Sequence, residues 1–507
     1  MASTDTKDSN ATGLAIAEES TPKVLPGTPD WYAKEPNSYA DFGGEISTVT
    51  REPINQLRQN KRGTTTDLDA SGGFNADYTQ NNLTRELQGF MYRDIQEKFG
   101  TKQMNVAQLP ITSTDGTGGY VAASGLDGFK ADDLVFASGF TNSANNGLSK
   151  VTSAIAALLD TDKATVVEAS PPAGAKVETV GYEFPTSDLE LTVSGGLATF
   201  TSASVTMTTL GLVIGEYIFV GGDVTDTSFP GGVGYFRVKS VTATTIVCDK
   251  ATDLKVTSSG TGKDIRIFFG NFLQNATAAT DIVCRTYQLE RTLGDDGSGT
   301  QSEYLTGAYA NEFNLNVSTA DKLTADLSYV AMDNEQRTGT TGVKSGNRIP
   351  ALGENAINTS SDVYRKSMEI IDDSTLVPDT LFAYLSEFNL NISNGVTPNK
   401  AIGTLGAIGI SLGNFVVSGS VTAYFTTIAA TQAVRNNTDV TIDCIFAKEN
   451  AGLVFDIPLL GLGGGKVTVE KDAPITVPLE NLAAENADGY TLGVTVLPYL
   501  PTVAMPA

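Results

Sequence analysis

Alternation of apolar and polar residues predicts strands along most of the chain. In Glu312-Phe-Asn-Leu-Asn-Val-Ser318 and Glu387-Phe-Asn-Leu-Asn-Ile-Ser393 every second side chain is apolar. That period puts Phe and Leu on a buried face, and Glu312, Asn314, Asn316, Glu387, Asn389 and Asn391 on a wet one. LVFASG (134–139) and YIFVGG (217–222) read as strands running into glycine turns. Residues 45–53 form another strand, and the polar stretch 58–74 that follows is expected to be a protruding loop. One segment departs from the period of two. Leu83, Leu87, Phe90, Met91, Ile95 and Phe99 recur at helical spacing, so an amphipathic helix is predicted over 81–99, with Asn82 as its cap. Residues 1 to about 30 are rich in Asp, Glu, Ser, Thr and Pro, and three prolines in TPKVLPGTPDW exclude a helix there. An extended arm is expected, with Trp31 and Tyr32 anchoring it to the body or to a neighbour. Residues 401–434 carry no charge, but Ser411, Asn414, Ser418, Ser420 and Thr422 interrupt them, which favours paired strands over a membrane span.

The pattern also repeats. KVTSAIAALLDTDKAT (150–165) aligns without gaps to RVKSVTATTIVCDKAT (237–252), an offset of 237 − 150 = 87 residues. KADDLVFASG (130–139) and VIGEYIFVGG (213–222) precede the two copies. Residues 113–268 therefore read as an insertion made of a duplicated small β unit, each copy a compact barrel or sandwich. The EFNLN strands are a second duplication, preceded by the similar VCRTYQLE (283–290) and VYRKSMEI (363–370). A weaker echo links NLTRE (82–86) to NLAAE (481–485). The chain is read as two related modules, one of them interrupted by the insertion.

Composition narrows the chemistry. None of the 507 residues is histidine, which removes Ser-His-Asp and Cys-His catalysis and any His-ligated metal. Cys248, Cys284 and Cys444 are too scattered for a CxxC pair or a disulfide framework. Lys plus Arg against Asp plus Glu gives 34 − 58 = −24, the wrong sign for a protein that grips nucleic acid by its phosphates. GLGGGKVT (461–468) lacks the first glycine and the Ser/Thr of a phosphate loop and runs into a strand; it and SGTGKD (259–264) are read as turns. The acidic pairs Asp67/Asp69, Asp132/Asp133, Asp295/Asp296 and Asp372/Asp373 have no EF-hand spacing, and spacing does not separate hydrolase carboxylates from solvated loops. No enzymatic activity, cofactor or metal is expected. Arg58, Lys61 and Arg62 stand out as basic among acidic surroundings; they fit either a solvated loop or a loop that docks on an acidic neighbouring subunit.

DFGGEISTVTREPINQLRQNKRGTTTDLDASGGFNADYTQNNLTRELQGF (41–90) resembles the opening of long-tailed bacteriophage tail tube proteins. Residues 128–148, 211–223 and 265–275 resemble the middle of that family, and DIPLLGLGGG and GYTLGVTVLPYLP its C-terminal part. The resemblance implies a mainly β fold: two duplicated tube modules of barrel or sandwich type with a flanking helix, an inserted pair of barrel-like units and an extended N-terminal arm. The segments are then 1–40 (arm), 41–112 (first part of module 1), 113–185 and 186–268 (inserted units), 269–345 (rest of module 1) and 346–507 (module 2). It further implies a structural virion protein that stacks as rings into a hollow tail tube with an acidic, DNA-repelling lumen for genome ejection. Arg58, Lys61, Arg62, Asp67, Asp69 and Trp31 would make contacts between rings. Glu312, Asn314, Asn316, Glu387, Asn389 and Asn391 would face the lumen. Two modules per chain favour a trimeric ring with pseudo-six-fold symmetry, with a hexamer second. The implied partners are further copies of the chain, a tape-measure protein, tail tip and tail terminator proteins, and double-stranded DNA that passes without specific binding. Synthesis in the host cytoplasm and residence in the virion tail follow. A receptor-binding or decoration protein of the virion is the alternative, and it would stay a discrete oligomer.

Overall fold

The computed structural model describes residues 6–54, 56–382 and 384–506; the first five residues of the expected arm lie outside them. The protein is mainly β, 49% strand against 8% helix, and no closed barrel is found among the described residues. It divides into two compact units: residues 1–93, 278–357 and 387–421, and residues 94–277, 358–386 and 422–507.

In the first unit, residues 387–393 pair antiparallel with the strand Thr300–Ser318, which pairs with Thr324–Ala331, then Lys61–Asp77, then Pro36–Arg51. One face of this sheet is apolar. Phe313, Leu315, Phe388, Leu390, Ile392, Phe74 and Leu327 are all buried on it, each contributing about 1.5–3 kcal/mol by leaving water. The helix Thr84–Met91 covers that face, with the Phe90 ring 5.8 Å from Phe313 and 5.5 Å from Tyr329.

The helix is shorter than its periodicity predicts. Asn82 does not cap it: its side chain accepts from the Thr79 amide and donates to the Asp77 carbonyl. Leu83 stands at the N-cap, and Tyr92, at φ +50°, ends the helix in the left-handed region. Ile95 is still buried, but from there the chain runs extended, and Gln96 forms a β-bridge with Phe272. Gly89 sits inside the helix, where glycine costs about 1 kcal/mol relative to alanine. A Cβ there would lie 2.5 Å from the Tyr287 hydroxyl oxygen, which explains the residue. Gly89→Val is expected to destabilise this unit by about 1–3 kcal/mol through overpacking, measurable by urea denaturation.

Two further expectations are corrected. Part of the expected arm is a strand packed into the first unit: Thr12–Glu18 lies between Tyr287–Asp295 and Asp30–Lys34, with Leu14, Ile16 and Ala17 buried. The segment 58–74 is mostly strand as well, because Lys61–Asp77 is the return limb of a long hairpin whose other limb is Pro36–Arg51. A run of Thr and Asp shows no apolar alternation, yet β-branched threonine suits an extended, exposed backbone.

In the second unit, residues 111–268 form one open 13-stranded sheet. From one edge inward run Ile111–Thr114, Gly119–Ala122, Leu158–Thr161, Gly147–Ile155, Asp133–Ser138 and Lys176–Glu183. Beyond a junction at Gly181↔Phe268 follow Arg266–Phe268, Tyr217–Val220, Gly234–Val241, Thr245–Ala251, Leu197–Thr201 and Glu190–Ser194, with Ser258–Ser259 outermost. Chain order within the two halves is the same, so the sixteen-residue match falls on equivalent hairpins. Each half has its own core, one around Tyr120, Phe129 and Val151, the other around Phe200, Phe236 and Ile246.

A second sheet of this unit runs Val363–Ile370, Val440–Lys448, Ala451–Gly464, Gly493–Leu497 and Asn271–Gln274. Residues 461–464 continue its central strand and pair with Thr476–Ala483, so they are not the predicted turn. That strand also holds Asn481, so NLAAE has no structural likeness to the helical NLTRE. Leu134, Tyr217, Phe219, Tyr235 and Phe268 of the insertion share one core with Ile445, Val454, Leu497 and Leu500. Among the described residues no helix is long and apolar enough to cross a membrane.

Candidate functional site

The side of the first unit's sheet opposite the helix is polar, and its side chains bond to one another. Asn314 stands opposite Asn391 and Asn316 opposite Asn389. Asn391 donates to Asn314 Oδ1 at 2.6 Å and Asn389 to Asn316 Oδ1 at 2.7 Å. Asn316 donates to Asp326 Oδ2 at 2.7 Å, Asn75 to Asp326 Oδ1 at 2.7 Å, and Asn37 to Asn75 Oδ1 at 3.0 Å. Lys322 pairs with Asp77 at the end of this row. Except for the exposed Asn37 the amides are half-buried, while Glu312 and Glu387 are exposed without an ion-pair partner among the described residues. Four carboxylates (Glu312, Glu387, Asp326, Asp77) against one ammonium (Lys322) leave this face at 1 − 4 = −3. Strand pairing therefore brings all six predicted polar-face residues onto one surface, together with Asn37, Asn75 and Asp326.

The hairpin carries most of the other predicted residues. Residues 44–54 and 56–62 are exposed throughout, including Arg58, Lys61 and Arg62. Arg58 takes φ +52°, a turn conformation that only a few per cent of non-glycine residues adopt. Ile46, Val49, Ile54 and Leu57 are exposed there too, Ile54 completely (106%). Among the described residues Pro36–Arg51 pairs only with Lys61–Asp77, so its outer edge is an open row of backbone donors and acceptors. Asp67 and Asp69 do not join the basic tip; both bind Lys400 of the hairpin Thr397–Lys400/Ala407–Ser411. The hydrogen bond from Lys400 is the largest influence on the Asp67 carboxyl and holds it below its usual range. Of the two anchorages expected for Trp31, to the body or to a neighbour, the structure has the first, which leaves it unavailable for the expected contact between rings. It is fully buried within its own unit, its ring edge-on to Tyr304 at 5.9 Å and under Arg348 at 4.8 Å, with Nε1–H donating to the Ser345 carbonyl. Its surface is taken up by its own chain.

Sequence reasoning missed a buried ionic cluster in the second unit. Lys250 Nζ lies 3.0 Å from Asp443 Oδ1 and 3.0 Å from Glu369 Oε2, and these three side chains are at most 2% exposed. Arg365 binds the same two carboxylates. Arg237, the cross-strand neighbour of Lys250, binds Asp249 and reaches Asp456 at 3.3 Å; the Tyr217 hydroxyl also donates to Asp456. Three cations face four carboxylates, and burial raises the Asp456 carboxyl above its usual range against the opposing pull of Arg237 and Lys250. The partners lie far apart in the sequence, so no local motif marks the cluster.

Of the acidic pairs, Asp295/Asp296 and Asp372/Asp373 lie in exposed turns. Asp133 is buried, and desolvation pushes its carboxyl up to about 6. Among the described residues no group of three or more acidic or cysteine side chains is placed to hold a metal ion. Cys248 and Cys444 are buried free thiols, and Cys284 is an exposed one.

The family model described as phage tail tube protein matches residues 217–483, just over half of the chain. The match begins in the second half of the insertion and takes in both EFNLN strands and, except for Gly493–Leu497, the second sheet of the second unit; the stretch 41–90 lies outside it. No curated protein matches the chain.

Proposed function

Since the chain belongs to the phage tail tube protein family, we propose that it stacks as closed rings into the hollow conduit of the tail, with the asparagine-lined sheet face turned to the lumen. The family is structural, self-assembles and resides in the virion tail. The observation that carries the finer reading is the bonded polar face. Five of its six asparagines give an N–H to a neighbouring amide or carboxylate, which ties the face together, and its net charge is negative. At physiological salt, repulsion reaches only about 8 Å, which suits DNA held close to a wall it does not bind. The Pro36–Asp77 hairpin supports contact between subunits through its open edge and its apolar, basic tip. Two modules per chain favour three chains per ring over six, with the tape-measure, tail tip and terminator proteins as the further partners. Synthesis in the host cytoplasm belongs to the same reading.

Electron microscopy of the concentrated protein, classified in end view, tests this. Open rings or tubes with a channel and three-fold averages are expected. A compact oligomer without a lumen would overturn the proposal in favour of a virion receptor-binding or decoration protein. Charge reversal tests the face separately. Glu312→Lys with Glu387→Lys changes each chain by +4, and phage carrying it should show tails of normal number and length but at least about ten-fold lower infectivity, as phosphates meet lysines instead of carboxylates. Unchanged infectivity with normal tails would place this face elsewhere.

A further inference from the structure

Extending that proposal, we infer that the hairpin Thr397–Lys400/Ala407–Ser411 is a second assembly peg that inserts into another copy of this chain, through Ile402 and Leu405 at its tip. Element order supplies the first argument. Pro36–Arg51, a protruding tip, Lys61–Asp77 and the helix Thr84–Met91 follow one another along the chain. Leu385–Ser393 leads into Thr397–Lys400, a tip, Ala407–Ser411, Val416–Tyr424 and the helix Ala429–Arg435. A strand, a protruding excursion, a return strand and a short helix thus occur in that order twice, once in each half of the chain; the second excursion is itself a small hairpin.

The second argument is the surface itself. Ile402 is completely exposed (107%), and Leu405 and Ile408 are more than half exposed. Nothing among the described residues covers them, and an apolar loop tip of this kind marks an interaction site. Gly403, at φ +92°, makes the tight turn that presents them. The occupant follows from position and charge. Lys400 is tied to Asp67 and Asp69 on the long hairpin, so the second tip extends the surface that carries Ile46, Val49, Ile54 and Leu57. With its one lysine neutralised, the hairpin has no charge left to direct it to nucleic acid or an anionic surface, whereas an apolar recess of a further copy would bury it.

The test compares three forms of the full chain by circular dichroism and electron microscopy: the parent, Ile54→Asp/Leu57→Asp, and Ile402→Asp/Leu405→Asp. The expected result is that the parent forms tubes while the Ile402/Leu405 variant keeps the parent spectrum and forms none. Tubes of parental length and onset concentration from that variant would overturn the inference and leave the tube reading intact. Failure of the parent to polymerise would bring down the tube reading, and the inference with it. Should the aspartates disturb folding, Ile402→Ser/Leu405→Ser decides by the same criterion, since serine adds no charge at a site already in water.

Discussion

Lys250→Met is expected to destabilise the second unit by about 3–5 kcal/mol, the usual cost of removing one partner from a buried ion pair. Methionine fills the same volume, so little of the loss comes from packing. It comes from Glu369 and Asp443, both essentially inaccessible to water, which would be left sharing Arg365 alone. Burial lowers the Lys250 pKa, with Asp443 and Asp456 opposing. Urea unfolding followed by tyrosine near-ultraviolet dichroism measures the change. A loss below about 1 kcal/mol would mean that the carboxylates take up protons or water at little cost. The double substitution Lys250→Met/Asp443→Leu should lose less than the single one, because it removes the uncompensated charge along with its partner.

Asp133→Asn is expected to stabilise the same unit at pH 7 by up to about 3 kcal/mol, at 1.36 kcal/mol per pKa unit. Asp133 is buried, and desolvation pushes its carboxyl up to about 6, against an unfolded value near 3.8. Below about pH 4 both states are protonated and the aspartic acid incurs no penalty. Between about pH 4 and pH 6 the unfolded chain has released its proton while the folded one still holds it, so stability is lost across that window and the loss is complete above it. Asparagine avoids that loss and keeps an oxygen to accept the Lys130 amide, which donates to Asp133 at 2.8 Å. The advantage of the variant should therefore grow from nothing near pH 4 to its full value above pH 7. A constant difference across that range would mean that Asp133 titrates normally.

How much of this was legible depended on whether a residue's environment is set by its near neighbours. Alternation in EFNLN separates Phe313 and Leu315 from Asn314 and Asn316, because a strand's two faces are fixed by its own period. The match between 150–165 and 237–252 falls on equivalent hairpins for the same reason. The charge cluster was invisible: Lys250 meets Asp443 only because a strand of the insertion packs on a strand nearly two hundred residues later. The helix showed a mixed case. Its stripe was local, but its end was set by tertiary pairing, since Gln96 bonds to Phe272 where periodicity would have continued the turn. The hairpin limb Lys61–Asp77 reads as a loop because an exposed strand need bury nothing and leaves no apolar signature. In LAIA (14–17) the cue was a short apolar run inside an acidic tail, too brief to outweigh the composition around it.

The burial of Trp31 gives the protein a built-in optical probe. It is the only tryptophan among 507 residues, and it sits at one address: the strand Asp30–Lys34, beneath the Arg348 guanidinium and against Tyr304. Its emission, excited beyond the tyrosine band, therefore reports on the N-terminal strands of the first unit and on nothing in the second. A red shift would mark the release of those strands, in solution or during polymerisation, without any label.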